Sequence, residues 1–435
     1  MLTLGLDIGT TTISIVVWDQ DSQSVTESKT IANDSFIKSE HAWEKIQDPT
    51  LILKQSQSLL EELLKRYPQI QSIGLTGQMH GIVYLNAGGH AVSPLYTWQY
   101  GSGAGLLGEM QDESVHVGYG MVTYYYHLKN DLVPKQAVSF CTIMDYLGMV
   151  LTGRKKPLMH ISNAASMGLF DCKNGRFQME KIQELGMDPA MIPDVSDAFE
   201  ILGTYRGIPV KIAIGDNQAS FLGAVGMQDG VILLNMGTGG QISMLADRYI
   251  QVKGIETRPL AKGKYLLVGA SLCGGRAYAV LEQFFRAYAQ AAGLKPKQQY
   301  EIMERLARAG QQQSEQKHAS QEQTGQHRND PLQVSTTFCG TREDPSLRGS
   351  ITGISESNFT PEQLIYGTLK GMAQELYDMY VQMLAAGCQK AKRLAASGNG
   401  LRKNPVLQDI CREMFETELV ILEFEEEAAC GSAQI

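Results

Sequence analysis

One pattern occurs twice in this 435-residue chain and limits its fold more than any other feature. Residues 4–19 read LGLDIGTTTISIVVWD, and residues 232–247 read ILLNMGTGGQISMLAD. Both run an apolar strand, an Asp or Asn, an apolar residue, Gly-Thr, a small polar turn and a second apolar strand closing on Asp. Leu6, Gly9, Thr10 and Asp19 coincide with Leu234, Gly237, Thr238 and Asp247. Each copy predicts a β-hairpin with a small-residue tip. A unit repeated this far along a chain predicts two similarly built domains facing each other. The length agrees, being too great for one typical domain. The boundary is expected near Met227–Gly230, giving domains at 1–227 and 228–435.

Between the hairpins, helical and strand patterns alternate. Leu53, Leu60, Leu63 and Leu64 share a helical face within residues 51–67, Pro68 stops that helix, and QSIGLTG follows as a strand. KIAIGD at 211–216 is a strand running into NQASFLGAVG, a helix start. Amphipathic helices are predicted at 276–292 and 372–392. Hairpins followed by helix and strand mean α/β layering. The polar segment 308–330 reads as a surface loop or ragged helix end.

The net charge of −8 and the absence of a basic stripe argue against nucleic acid. Seven cysteines in no CxxC pair predict reduced thiols and a cytoplasmic protein. MLTLGLDIG has no basic n-region, and no apolar run approaches a membrane span.

Four segments carry chemistry. The DIGTTT tip lets backbone N–H groups approach a polyphosphate, with the hydroxyls of Thr10, Thr11 and Thr12 as donors and Asp7 as a holder of hydrated Mg²⁺. With its second copy at Asn235–Gly240, it could clamp one phosphate chain from both sides. In GDNQ, Asp216 sits at a strand-to-helix junction, where it can accept a proton from an alcohol in line with a γ-phosphate. Gln78, Met79 and His80 follow a strand directly and offer a sugar hydrogen bonds beside an apolar wall. Gly398 and Gly400 turn into the helix opened by Asn404, a setting for a nucleotide base and ribose, and Gly274–Gly275 is a further close-approach point.

Taken in the order DIGTTT, TGQMHG, GDNQ, NMGTGG, GASLCGG and SGNGLRKN, these segments resemble the FGGY carbohydrate kinases from residue 5 to about residue 431. The resemblance implies two actin-like (ribonuclease H-like) α/β domains with ATP and a sugar in the cleft between them. It makes Asp216 the catalytic base and, with Asp7, a Mg²⁺ neighbour. Thr10, Thr11, Thr12, Gly237, Thr238 and Gly239 become the phosphate turns, and Gly275, Gly400 and Asn404 the nucleotide site. Gln78, Met79, His80 and Trp98 join Asp216 around the sugar. Residues 335–355 and SLCGGRAYAVLEQFF look most like sedoheptulokinase-type members, whereas TGQMHG is shared with xylulokinases. The implied reaction is phosphorylation of a ketose, sedoheptulose ahead of D-xylulose, by a monomer or homodimer. The alternative is a catalytically weakened sugar- or nucleotide-binding protein. Two departures motivate it. Tyr100 and Ser102 stand where the family usually has an acid and an arginine. Gly431–Ile435 reads as the first turn of a closing helix whose remainder is absent, which would expose apolar surface on the second domain.

Overall fold

The computed structural model describes residues 1–324, 332–342, 344–422, 424 and 426–435. The first hairpin forms as expected, from β1 (Leu2–Ile8) and β2 (Thr12–Asp19), with Leu6 opposite Ile15 and Ile8 opposite Ile13. β3 (Ser24–Ala32) continues the antiparallel meander. After α1 (Pro49–Arg66) the chain returns as β4 (Ile73–Gly77), parallel to β1. Asp48 caps α1 by accepting from the N–H groups of Thr50 and Leu51. β5 (Ile214–Gly215) lies parallel to β4 and leads into α2 (Asp216–Val225).

The second half repeats this plan. β6 (Val231–Met236) and β7 (Gly240–Ala246) are the second hairpin, extended by β8 (Ile255–Ala261) and β9 (Lys264–Ser271). The sheet order is β8, β9, β7, β6, then β10 (Arg393–Ser397) and β11 (Leu419–Ile421). The last two run parallel to their neighbours, as β4 and β5 do in the first sheet. Between these strands come α3 (Gly274–Ala291), α4 (Pro361–Ala385) and α5 (Pro405–Phe415), and α6 (Glu427–Gln434) follows β11.

The helices that leave the two parallel edges are exchanged. α2 buries Phe221, Leu222 and Val225 with Val231, Leu233, Leu266 and Ala395 of the second sheet. α6 buries Ala429, Cys430 and Ala433 against Val16 and Trp18 of the first. β2 is therefore covered on both faces, which explains why it reads as a nearly unbroken apolar run. Glycines make the approach possible. A Cβ at Gly5 would overlap the Ala429 carbonyl, one at Gly74 the Ser432 carbonyl, and one at Gly223 the Glu427 carbonyl.

Three expectations are corrected. Residues 308–324 are not loop but the second part of a helix, Tyr300–Thr324. Gln, Glu, Ala and Lys are strong helix formers even where no apolar stripe reveals them. That helix docks on α4, where Gln363 donates to the Gly310 carbonyl at 3.1 Å. Residues 325–330 of the same prediction lie outside the described residues. The helix expected at 372–392 starts at Pro361 behind the Thr360 cap and ends at Ala385. The final helix begins at Glu427, not Gly431, and its buried side meets the first domain rather than the second.

Candidate active site

The exchanged helix α2 brings its first residue, Asp216, to the floor of the interdomain cleft, partly buried beside Asp7 near the end of β1. Burial pushes Asp216 up to about 6, against the pull of Arg258 and of the Asn217 backbone N–H. Burial, then the neighbouring Asp216 and Glu426, pushes Asp7 up to about 7. Two carboxylates this close disfavour simultaneous ionisation.

His80 sits on the same floor. Its Nδ1 lies 2.7 Å from the Ser166 carbonyl, which can only accept, so Nδ1 carries the proton and Nε2 remains an acceptor. Burial pulls its pKa down to about 4, leaving the ring neutral at pH 7. The ring stacks on Tyr119 with centroids 4.3 Å apart. His80 adopts φ +73°, a left-handed conformation that few non-glycine residues take. Such strain at a ligand cleft is a mark of a positioned side chain.

The other sugar-side candidates have different surroundings. Met79 is buried, with its thioether packed against the Gly215 backbone beneath Asp216. Gln78 is buried too, and both ends of its amide are engaged. Nε2 donates to Gln47 at 2.8 Å, and Oε1 accepts from Thr10 Oγ1 at 3.4 Å. Gln47 in turn donates to the Thr10 carbonyl at 2.9 Å. Trp98 is half-exposed and donates its indole N–H to Thr10 Oγ1 at 2.9 Å. Gln78 and Trp98 thus hold the first turn in place. Asn33 braces it from behind, donating to the Gly9 carbonyl at 2.8 Å, while Thr11 and Thr12 are exposed.

The site chemistry suits a cation. Asp7 Oδ1 is buried without a hydrogen-bond partner among the described residues. Two adjacent carboxylates, one with an orphaned oxygen, form a donor set that suits a hydrated Mg²⁺, which takes one or two carboxylates and keeps its waters.

The second turn is stitched to α3. Gly275 N donates to the Gly237 carbonyl at 2.9 Å and Arg276 N to the Thr238 carbonyl at 3.0 Å. Gly239 packs under the Ser271 carbonyl and not on the adjoining cavity, which explains why no side chain fits there. That cavity, of about 920 Å³, brings together Gly237, Thr238, Gly275, Gly400 and Asn404 from three separate segments. Gly400 is pressed against Met236, and Asn404 caps α5 by accepting from Leu407 N at 3.1 Å. Asn217 links this half to the other, with Nδ2 3.4 Å from Gln241 Oε1.

Sequence reasoning missed several groups. Gln47, Asn33 and Ser166 act through tertiary contacts that no local motif announces. Arg258 and Glu256 lie on β8, where alternation alone gave no cue to chemistry. Arg342 was visible in the FCGTREDP stretch but was given no role. Tyr100 is buried, and its hydroxyl meets His127 Nε2 at 3.1 Å, while Tyr84 meets His127 Nδ1 at 3.1 Å. Tyr100 belongs to an aromatic cluster with Trp43, Tyr96 and His127.

The description "FGGY family of carbohydrate kinases, N-terminal domain" matches residues 2–223, and the C-terminal counterpart matches 232–435. Sedoheptulokinase from Mus musculus is 26% identical over 95% of this chain and 93% of its own length. Sedoheptulokinase from Homo sapiens is 26% identical over 100% and 97%. The crystal structure of xylulose kinase from Rhodospirillum rubrum superposes with a TM-score of 0.81 at 19% identity, covering 100% of this chain and 89% of that one. It shares the two-domain fold of this protein. No helix among the described residues is long and apolar enough to cross a membrane. The repeated hairpins, the exchanged helices and the family match over both halves lead to one conclusion: the chain belongs to the FGGY family of carbohydrate kinases.

Proposed function

We propose that this protein transfers the γ-phosphoryl group of ATP to a hydroxyl of an open-chain ketose, sedoheptulose in the first place. The observation that carries the reading is the partly buried Asp216 carboxylate, set beside Asp7 of the first hairpin and next to Asn217, which reaches Gln241 of the second. Residues 1–227 are the sugar half and 228–435 the nucleotide half of this reading. Sedoheptulose is favoured by full-length similarity to two sedoheptulokinases. D-xylulose is the second reading, supported by the TGQMHG segment with its cleft-floor His80.

In this mechanism Asp216 accepts the hydroxyl proton, and His80 Nε2 accepts a hydrogen bond from the sugar. Met79 walls the floor below them. The first turn, held by Gln78, Gln47 and Trp98, presents Thr10 to the phosphates. Gly237, Thr238 and Gly275 approach the phosphates from the other domain. The cavity beside Gly400 and Asn404 takes the adenosine. Asp7 and Asp216 would hold Mg²⁺, which offsets phosphate charge when bound. Closure of the cleft excludes water and aligns the hydroxyl.

ADP release with Mg·ATP across sedoheptulose, D-xylulose, D-ribulose, L-ribulose, D-fructose, glycerol and no sugar tests this reading. Turnover peaking on sedoheptulose supports it, and a peak on D-xylulose selects the second reading. Silence on every sugar from folded protein leaves a binding protein. Asp216→Ala is expected to abolish turnover while retaining ATP binding, and retained turnover removes Asp216 as the base.

A further inference from the structure

Residues 97–103, TWQYGSG, bring no charged side chain to the sugar half of the cleft. Charge reaches it instead from the opposite domain. Arg258 on β8 donates through Nε and Nη2 to Glu256 Oε2, at 2.9 and 2.6 Å. The other Glu256 oxygen accepts from Arg342. One carboxylate between two guanidiniums leaves a surplus positive charge and holds the Arg258 plane in a fixed orientation. Burial would raise Glu256, yet the two arginines keep it below the usual carboxylate range.

Three observations place this cluster over the sugar floor. β8 packs against the short helix Ile161–Ala165, which leads directly into Ser166, the anchor of His80. Gln218, two residues after Asp216, donates to the carbonyl of Pro259, the residue after Arg258, at 3.0 Å. The charge of Arg258 acts on both Asp216 and His80, and that of Glu256 on His80 and Tyr119. Around the same floor, Asn163 Oδ1, Asn217 Oδ1 and Gln218 Oε1 are buried acceptors without a partner among the described residues. A guanidinium on one side and orphaned acceptors on the other suit a ligand that carries hydroxyls along a chain, since each hydroxyl both donates and accepts.

We propose that Arg258, held by Glu256 and Arg342, is the specificity-determining residue through which the second domain reads the hydroxyl-bearing chain of the acceptor sugar. The inference rests on the ketose-kinase reading above. It makes sugar selection a property of the closed cleft, because the reader sits on one domain and the floor on the other. A ketose too short to reach Arg258 loses a charged hydrogen bond, so chain length is measured at this residue.

The test compares wild type with Arg258→Gln, Arg258→Lys and Glu256→Gln on seven-, six- and five-carbon ketoses. For Arg258→Gln the sugar KM is expected to rise on the order of 10-fold or more, with the ATP KM within about 2-fold, as for a lost charged hydrogen bond. Discrimination between ketoses of different length narrows, and Arg258→Lys recovers part of it. An unchanged sugar KM, an equal rise in both KM values, or a loss that follows the melting temperature overturns the proposal. Calorimetric binding of the same ketoses reads Arg258 without turnover. Ketose binding without phosphorylation refutes the kinase reading while still judging Arg258, and no ketose binding by wild type overturns both.

Discussion

Replacing Gly74 by alanine tests the exchanged-helix architecture at its tightest point. A Cβ there would overlap Ser432 O and C, with Ala433 N at 3.2 Å. All three are backbone atoms, so no rotamer change can make room. Helix α6 must withdraw by more than about 1 Å, or the strand must deform, at a cost of about 1–3 kcal/mol. The observable is the thiol of Cys430. It is fully shielded on α6, and burial pushes its pKa up to about 12. If α6 opens locally and recloses faster than it is labelled, the labelling rate follows the opening equilibrium, so that cost accelerates maleimide modification about 5- to 150-fold. Peptide mapping separates Cys430 from the other six cysteines. Gly108→Ala is the control, since nothing lies within 4 Å of its Cβ position. That change is expected to be neutral or stabilising by under about 1 kcal/mol. Gly5→Ala obstructs the same helix through Ala429, so the double variant should cost less than the sum of the singles. Unchanged Cys430 labelling in Gly74→Ala would refute the close approach.

His80→Ala is expected to raise the sugar KM more than the ATP KM in steady-state kinetics, and an unchanged sugar KM removes it from the sugar floor. Tyr100→Phe deletes a hydroxyl that meets buried His127, so a stability loss of about 1 kcal/mol is expected in urea melts, with little change in sugar KM. A large sugar KM effect instead would return Tyr100 to the sugar site. Burial pushes Asp145 up to about 7 despite its bonds to Thr142. The folded protein therefore holds this proton more tightly than the unfolded chain, and the stability contributed is complete below about pH 4 and lost as pH rises through 7. Asp145→Asn should then raise the melting temperature at pH 8 by more than at pH 5, worth on the order of 2 kcal/mol. Equal shifts at both pH values would contradict the assignment.

The two hairpins were legible because a Gly-Thr tip between apolar strands is a local signature, and Asp216 because its junction lies within six residues of chain. His80 was legible as a strand-end residue, but its tautomer is set by Ser166 and its ring is stacked by Tyr119, both from other elements, and its neutrality comes from burial. Gln78 shows the limit of reading residue type alone. An amide beside a ligand cleft can face the ligand or its neighbours, and only the partners Gln47 and Thr10 decide. The helix at 300–324 escaped because periodicity reports burial, whereas its polar half is held by propensity and by the bonds of Gln363 to Gly310, Gln313 and Ser314. α6 was read only from Gly431 and against the wrong domain, for a different reason. Its cover is the other domain's sheet, and nothing in EEAACGSAQI names that partner.

That exchange bears on how the chain is made. Gln20 donates to the carbonyl of Ala433 at 3.1 Å across 413 residues of sequence. At a translation rate of about 5–20 residues per second, roughly 20–80 s separate the two ends of this contact on the ribosome. From the synthesis of Gly74 onward, the face carrying Gly5, Val16, Trp18 and Gly74 exists without the helix that covers it. The nascent first half thus offers a glycine-lined apolar sheet face that stays uncovered until α6 is made.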